Sequence, residues 1–454
     1  MVKKDEYYTI EITGISSDGN GVGTVDGFTV FVPYTAAGDT AKICIDKVFP
    51  RYATGHLKKV ITPSHNRQEP PCPMFYECGG CHIQHIKYPA QLDAKRGIIE
   101  SAFRRIGGFT DFRCDDMVGM TTSERYRNKC IFQIGKDKTG RLIYGFYANK
   151  SHSVIPVEDC FTGIKENAIL CQALVSYMNE NNVSAYDDKT GKGIVKRLFV
   201  RKAVTTGEIM TAVSINDGDL PNREKLIKKL VGSDSNIKSI YININKDKRN
   251  SGLGRKNILI YGSPEISDTL CGAEFGISPQ SFFQINPYMT EKLYNRALEY
   301  ADISKSDIVL DVYCGIGTIS LAAEKKAGHV TGIEVVAQAV SDARKNAERN
   351  GINNAEFLSD SAENAVPHLI ENGMKPDIVI LDPPRKGSDE ATLCSIVKAA
   401  PKRIVYVSCN PATLARDAKY LAENGYTPVK CTGVDMFPHT NHVETVVLMS
   451  HTDK

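Results

Sequence analysis

The sequence predicts an α/β protein in three parts: an N-terminal OB-like β-barrel, a β-rich central domain and a C-terminal doubly wound sheet. Three patterns carry that expectation. Residues 7–60 alternate polar and apolar side chains, with glycine and aspartate between the runs. Short strand-like runs dominate from about 125 to 262. From about 287 onward strand and helix patterns alternate, as a doubly wound sheet requires. A chain of 454 residues has room for two or three domains at a prior of roughly 150 residues each.

Taken in order, residues 8–12, 19–23 and 28–33 read as short strands of a small antiparallel barrel. Residues 61–85 are rich in proline and cysteine and read as irregular. Residues 89–107 read as a helix, with Leu92, Ile98, Ile99, Ala102, Phe103 and Ile106 on one helical period. In the middle, 129–134 and 257–261 are examples of strands, and one helical stretch near 165–180 interrupts them. The expected division is 1–61 for the barrel, 62–88 with 120–265 for the central domain, and 89–119 with 266–454 for the C-terminal domain.

Composition narrows the class. No segment has the 18 or more uninterrupted apolar residues of a membrane span, and the N-terminus has no signal-like apolar core. A cytoplasmic protein with no membrane association is expected. The net charge of +3 points to no partner by itself. Two local clusters say more: Lys189, Lys192, Lys196, Arg197, Arg201 and Lys202, and then Lys246, Lys248, Arg249, Arg255 and Lys256, read as one Gly/Asn-rich loop. Two such clusters fit a polyanionic partner. The barrel carries seven basic and seven acidic residues up to Lys59, so any RNA role there comes from charge placement.

In the C-terminal part, the apolar run Ile308-Val309-Leu310-Asp311-Val312 ends in Tyr313-Cys314-Gly315-Ile316-Gly317. Glycines at such a turn let a ligand approach backbone N–H groups that a Cβ would block. Glu334 follows nineteen residues after Gly315, at the end of the next strand, where an acid suits ribose hydroxyls. The third glycine of a dinucleotide fingerprint is missing, since position 320 is Ser320. That favours S-adenosylmethionine, which has no phosphate to seat. A third strand ends in Asp382-Pro383-Pro384, where the prolines stiffen the turn and remove backbone donors.

Thirteen cysteines are many for a reducing compartment. Cys44, Cys171 and Cys271 sit among apolar neighbours and read as core filler. Cys72, Cys78 and Cys81, with Gly79-Gly80 between them, have metal-site spacing, and Cys160 supplies a fourth thiol from afar. Thiolate sets of this kind serve zinc and iron–sulfur clusters alike. The spacing is not Cys-x3-Cys-x2-Cys, so it gives no reason to expect radical generation. Cys409 differs from all of these. It stands where the apolar run 404–407 gives way to the turn Ser408-Cys409-Asn410-Pro411.

Several motifs together resemble the S-adenosylmethionine-dependent RNA uracil-5-methyltransferases, over nearly the whole chain. They are Ser281-Phe282-Phe283-Gln284-Ile285-Asn286, Asp311-Val312-Tyr313-Cys314-Gly315-Ile316-Gly317, Leu381-Asp382-Pro383-Pro384-Arg385, Ser408-Cys409-Asn410-Pro411 and His442-Val443-Glu444-Thr445. Arg125-Tyr126-Arg127-Asn128-Lys129 and Tyr144-Gly145-Phe146 look like the family's central domain. The resemblance implies a class I methyltransferase domain with Gln284, Tyr313, Glu334 and Asp382 on the cofactor, Cys409 as nucleophile and Glu444 as base. Thr318 replaces an Asn of some relatives and is not counted as a contact. Phe282 is either a base-stacking ring or a core phenylalanine.

The barrel is similar to a TRAM domain. TRAM plus four cysteines resembles the ribosomal-RNA branch, in which Cys72, Cys78, Cys81 and Cys160 would ligate a [4Fe-4S] cluster. The expected partner is a single-stranded or loop uridine in 23S ribosomal RNA, and the expected state a monomer. Cytosine-5 enzymes would resemble a Pro-Cys at the place held here by Asp382-Pro383, and amino methylases an aromatic where Arg385 stands. A tRNA methylase and a non-catalytic RNA-binding assembly factor are the rival readings.

Overall fold

A computed structural model describes residues 2–149, 151–247 and 252–451. The first five strands close a barrel in the order Tyr7–Ile15, Gly21–Val25, Phe28–Val32, Ala53–Thr62, Thr40–Val48. It is not purely antiparallel as expected. Phe28–Val32 and Ala53–Thr62 run parallel through Val30↔Ala53, because the chain crosses the barrel by way of Thr40–Val48. Ile10, Ile12, Val30, Val32, Ala41, Ile43 and Ile45 point inward and fill it.

The helix expected over 89–107 is an α-helix, α1, over Tyr88–Ala102, followed by a π-helical turn, Phe103–Gly107. Its buried face also differs from the apolar face. Gln91 and Lys95 are buried with Ile99 and Ala102, whereas Ile106 is exposed. After α1, the short strand Asp116–Val118 joins the edge of the C-terminal sheet beside Tyr426–Val434.

The middle of the chain forms a seven-stranded sheet with Val195–Lys202 and Ile209–Ile215 near its centre. Both strands are buried along almost their whole length. Helix Glu166–Glu180 lies where expected, but a second helix, Arg223–Ser233, was not. Only its Leu226 and Leu230 point inward, too few for a helical period to stand out. It is required nonetheless, because Ile209–Ile215 and Ile237–Ile244 run parallel and need a crossover.

The burial of Val195–Lys202 overturns one reading of charge. Lys196, Arg197 and Arg201 are buried and have protein partners: the Asn245 carbonyl, Gln133, and the carbonyls of Ser278 and Ser281. Lys202 pairs with Glu166 at 2.5 Å. Only Lys189 and Lys192 of that cluster face solvent. In the second cluster Lys246 pairs with Asp217 and Lys256 opens the strand Lys256–Gly262, while Lys248 and Arg249 lie outside the described residues.

The C-terminal sheet has eight strands. Five are parallel in the order Ala355–Ser359, His329–Glu334, Ile308–Val312, Ile378–Leu381, Arg403–Ser408. Then come Glu444–His451 and Tyr426–Val434, each antiparallel to its neighbour, and Asp116–Val118. The strand order reverses between Ile308–Val312 and Ile378–Leu381, and ligands of such sheets bind outside the carboxyl ends at that reversal. Among the described residues no helix is long and apolar enough to cross a membrane.

Candidate active site

Cys409 and Glu444 are brought near each other because the last strand returns antiparallel. Ser408 is paired with Thr445, so the next step of the register sets Cys409 opposite Glu444. The local sequence fixes the thiol. Ser408 ends the strand and its hydroxyl accepts from the Asn410 amide at 3.1 Å. Asn410 caps helix Pro411–Glu423 by accepting from the Ala412 amide, and Pro411 fills the first turn, where no donor is needed. Cys409 is thus held between a strand end and a helix cap.

Burial dominates the charge states here. It raises the Cys409 thiol to about 11, with Glu444 and Asp382 adding to the shift and Arg385 opposing it. Glu444 is 4% exposed, and its carboxyl rises to about 8 through burial, then Asp382, again opposed by Arg385. Asp382 rises to about 7 through burial and the neighbouring Asp311. Asp311 rises to about 6, also through burial. The strands carrying these two aspartates are adjacent, with Val312 opposite Leu381.

Around the strand reversal the turn is built for close approach. Tyr313 has φ 73° and Gly317 φ 82°, and a Cβ on Gly317 would lie 2.6 Å from Leu321. Glu334 accepts from the amides of Gly315 at 3.2 Å and Val336 at 2.8 Å, which aims its carboxylate across the turn. Val335 and Val336 beside it are exposed and offer apolar surface. The Tyr313 hydroxyl meets that of Ser388 at 3.1 Å. Gln284 is half-buried, with its backbone carbonyl held by Asn128 at 3.1 Å. Phe282, two residues earlier, is 64% exposed, which removes the core-phenylalanine reading.

The donor set fits S-adenosylmethionine. Asp311 accepts from Ser320 through one oxygen, while the other is buried with no partner. That orphan acceptor, among carboxylates whose ionisation burial disfavours, suits a ligand bearing a sulfonium, an ammonium and ribose hydroxyls. Sequence reasoning missed Asp311 as a site residue, although an acid inside an apolar strand is itself a signal. It also missed Tyr294, which is buried, meets Thr318 at 3.1 Å and lies near Asp382 and Gln284.

The four predicted thiols lie together elsewhere. Cys72, Cys78, Cys81 and Cys160 line one cavity of about 800 Å³, shared with Cys130 and Arg127. Burial raises Cys81 to about 12 and also raises Cys72 and Cys78. Among the described residues no group of three His, Cys, Asp or Glu is drawn close enough to hold one metal ion. Four thiols on one cavity suit zinc or an iron–sulfur cluster alike.

Comparisons with known proteins place the chain among RNA methyltransferases. A family model described as tRNA (uracil-5-)-methyltransferase matches residues 266–452, and a TRAM domain model matches residues 2–58. An uncharacterized RNA methyltransferase of Clostridium tetani is 44% identical over 99% of this chain and 97% of its own length. Another, from Bacillus cereus, is 41% identical over 100% and 98%. A solved structure of Pyrococcus abyssi tRNA (uracil-54, C5)-methyltransferase with S-adenosyl-L-homocysteine has a TM-score of 0.78 and 27% identity, covering 97% of this chain and 100% of that one.

Proposed function

The chain belongs to the S-adenosylmethionine-dependent RNA uracil-5-methyltransferase family, and from that premise we propose that it methylates C5 of a uridine in 23S ribosomal RNA through a covalent Cys409–C6 bond. The observation that carries the reading is the strand register that sets Cys409 opposite Glu444, with Asp382 acting electrostatically on Glu444 and Cys409.

Uracil C5 is a weak nucleophile. The Cys409 thiol gives its proton to solvent, the thiolate Sγ adds to C6, and the C5–C6 π electrons pass into the ring as an enolate with electron density at C5. S-adenosylmethionine, when bound, would supply the methyl group that C5 takes up, and the electrons of the broken methyl–sulfur bond would leave with S-adenosylhomocysteine. Glu444 then removes the C5 proton, the C5–H electrons re-form the C5–C6 double bond, and the thiolate departs. Gln284, Tyr313, Glu334 and Asp382 hold the cofactor in this reading. The target base leaves its stack to reach the site, which is cheapest in a loop or single strand. Exposed Phe282 is placed to stack on a neighbouring base.

RNA in which 5-fluorouridine replaces uridine tests the nucleophile, because fluorine cannot leave as a proton does. Wild-type enzyme forms a denaturation-resistant adduct and Cys409→Ala forms none. An equal adduct from the variant refutes the assignment.

We assign Cys72, Cys78, Cys81 and Cys160 to a [4Fe-4S] cluster that ties the 72–81 loop to the central domain. What supports it is the shared cavity and the all-thiol donor set. Anaerobic reconstitution with iron and sulfide should give four irons per chain and visible charge-transfer absorption, and stoichiometric zinc in the native protein would overturn it.

The barrel and four cysteines favour ribosomal RNA by their resemblance to that branch. Full-length similarity to an archaeal tRNA enzyme favours a second reading, a tRNA uridine. Labelled cofactor and fractionated RNA from a deletion strain separate the two: label enters 23S RNA under the first and tRNA under the second. A chain that only binds RNA labels neither.

A further inference from the structure

The nine residues 435–443 deliver Glu444 to the site, and they form a loop in which six residues are buried and none is exposed. A buried loop is unusual, because its backbone groups need partners other than water. Here the partners are side chains and amides from distant parts of the chain. Lys95 of α1 is wholly buried, pairs with wholly buried Asp435 at 2.5 Å and also donates to the Phe437 carbonyl at 3.1 Å. Asn286 donates to the Met436 carbonyl and Tyr126 to that of Pro438.

His439 is the hub. Its backbone sits in the left-handed region at φ 69°, where a residue with a Cβ stays only if its surroundings hold it. Gln91, one turn before Lys95 on α1, accepts from the His439 amide at 3.0 Å and meets its ring nitrogen Nδ1 at 3.2 Å. The other ring nitrogen meets Ser123, and the carbonyl accepts from the amides of His82 and Ile83. His82 and Ile83 follow directly on Cys81.

A buried ion pair adds little net stability compared with an apolar pair of the same volume. What Lys95 and Gln91 supply is direction: they specify one path for the loop. We propose that Lys95 and Gln91 are positioning residues for proton abstraction, fixing the turn that aims Glu444 at C5 of the target ring. The proposal rests on the reading of Glu444 as the base.

That role makes a specific kinetic signature. Cys409 follows a different strand, Arg403–Ser408, so adduct formation and methyl uptake proceed, while C5 proton removal and thiolate departure slow. The test uses full-length Gln91→Met and the double variant Lys95→Met/Asp435→Leu, which removes both buried charges at once. End-labelled total RNA from a strain lacking this chain contains the unmethylated acceptor, whichever RNA it is. Denaturing gels follow formation and decay of the enzyme–RNA adduct with Glu444→Gln beside the variants. The expected result is near-normal formation and decay slowed by about 10- to 100-fold in both variants, as misplacement of a reacting group by about an ångström produces. Slow decay in Glu444→Gln but normal decay in both variants overturns the clamp. Equal slowing of formation and decay also overturns it, since that marks general loosening. Normal decay in Glu444→Gln removes the base assignment, and the proposal with it.

Discussion

The resolving step should accelerate with pH in a way set by Glu444. Its carboxyl rises from 4.5 to about 8, so ionising it in the resting site costs about 5 kcal/mol more than in water. The sign follows from the form that acts: a base must be ionised, and a raised carboxylate pKa withholds that form until the pH is high. At pH 7 roughly one enzyme in ten carries the carboxylate, at pH 8 about half, and at pH 9 about nine in ten. Decay of the methylated adduct should therefore quicken about fivefold from pH 7 to 8, about twofold from 8 to 9, and then level off. The decaying adduct has already consumed the cofactor's positive charge, so no sulfonium offsets the burial of Glu444 in this step. Single-turnover quench on denaturing gels, with enzyme in excess over labelled RNA, measures that decay apart from binding and attack. Glu444→Gln should decay about 10²- to 10⁴-fold more slowly at every pH, with the rise abolished. Decay independent of pH between 7 and 8, or an unchanged rise in the Gln variant, refutes the reasoning.

Three further outcomes follow from burial and charge. Asp382 is raised from 3.8 to about 7, so the stability linked to its proton is present below about pH 4 and lost as pH rises through 7. Asp382→Asn should then match wild type in thermal denaturation near pH 4 and exceed it at pH 8.5, by up to about 4 kcal/mol, with loss of methyl transfer. Lys95→Met alone strands Asp435 as a buried charge and should cost about 3–5 kcal/mol in denaturant titration, while Lys95→Met/Asp435→Leu should return to within about 1 kcal/mol of wild type. Arg201→Met removes two hydrogen bonds to the carbonyls of Ser278 and Ser281 and should cost about 2–4 kcal/mol. It should leave the salt dependence of RNA binding unchanged, because Arg201 reaches no phosphate; a shallower salt slope would restore it to the RNA surface.

Arg201 also shows where sequence reading stops. Counting charges along 189–202 marks a basic cluster, but whether a lysine or arginine faces RNA depends on what covers the strand. Val195–Lys202 lies inside a sheet covered on both faces, so its charged residues became internal struts. The doubly wound pattern and the strand ends were legible, because parallel strands buried on both faces read as continuous apolar runs. Cys409 and Glu444 were each legible as chemistry-bearing residues near strand ends. Their adjacency was not, since it depends on the last strand running antiparallel between Arg403–Ser408 and Tyr426–Val434. Gln91 and Lys95 were hidden for the opposite reason: they are polar residues on the buried face of an otherwise ordinary amphipathic helix, and their partners lie about 340 residues away.

In the proposed mechanism, the same burial that withholds reactivity makes the site sensitive to charge brought by the cofactor. Asp311 raises the cost of ionising Asp382, Asp382 that of Glu444, and Asp382 and Glu444 both that of Cys409, so the resting pocket disfavours the charged form of all three. A thiolate there is disfavoured until positive charge arrives. Arg385 opposes these shifts at both Cys409 and Glu444, but it is exposed, where solvent screens it. A bound sulfonium would act from inside the pocket, where the low dielectric makes one charge count for more than the same charge at the surface. Cofactor occupancy then lowers the cost of forming the nucleophile, which couples attack on the ring to the presence of a methyl donor. The expected consequence is ordered reactivity: alkylation of Cys409 by a small neutral reagent at pH 8 should quicken when S-adenosylmethionine is added and not when neutral S-adenosylhomocysteine is added. Equal rates with the two ligands would show that shape, and not charge, activates the thiol.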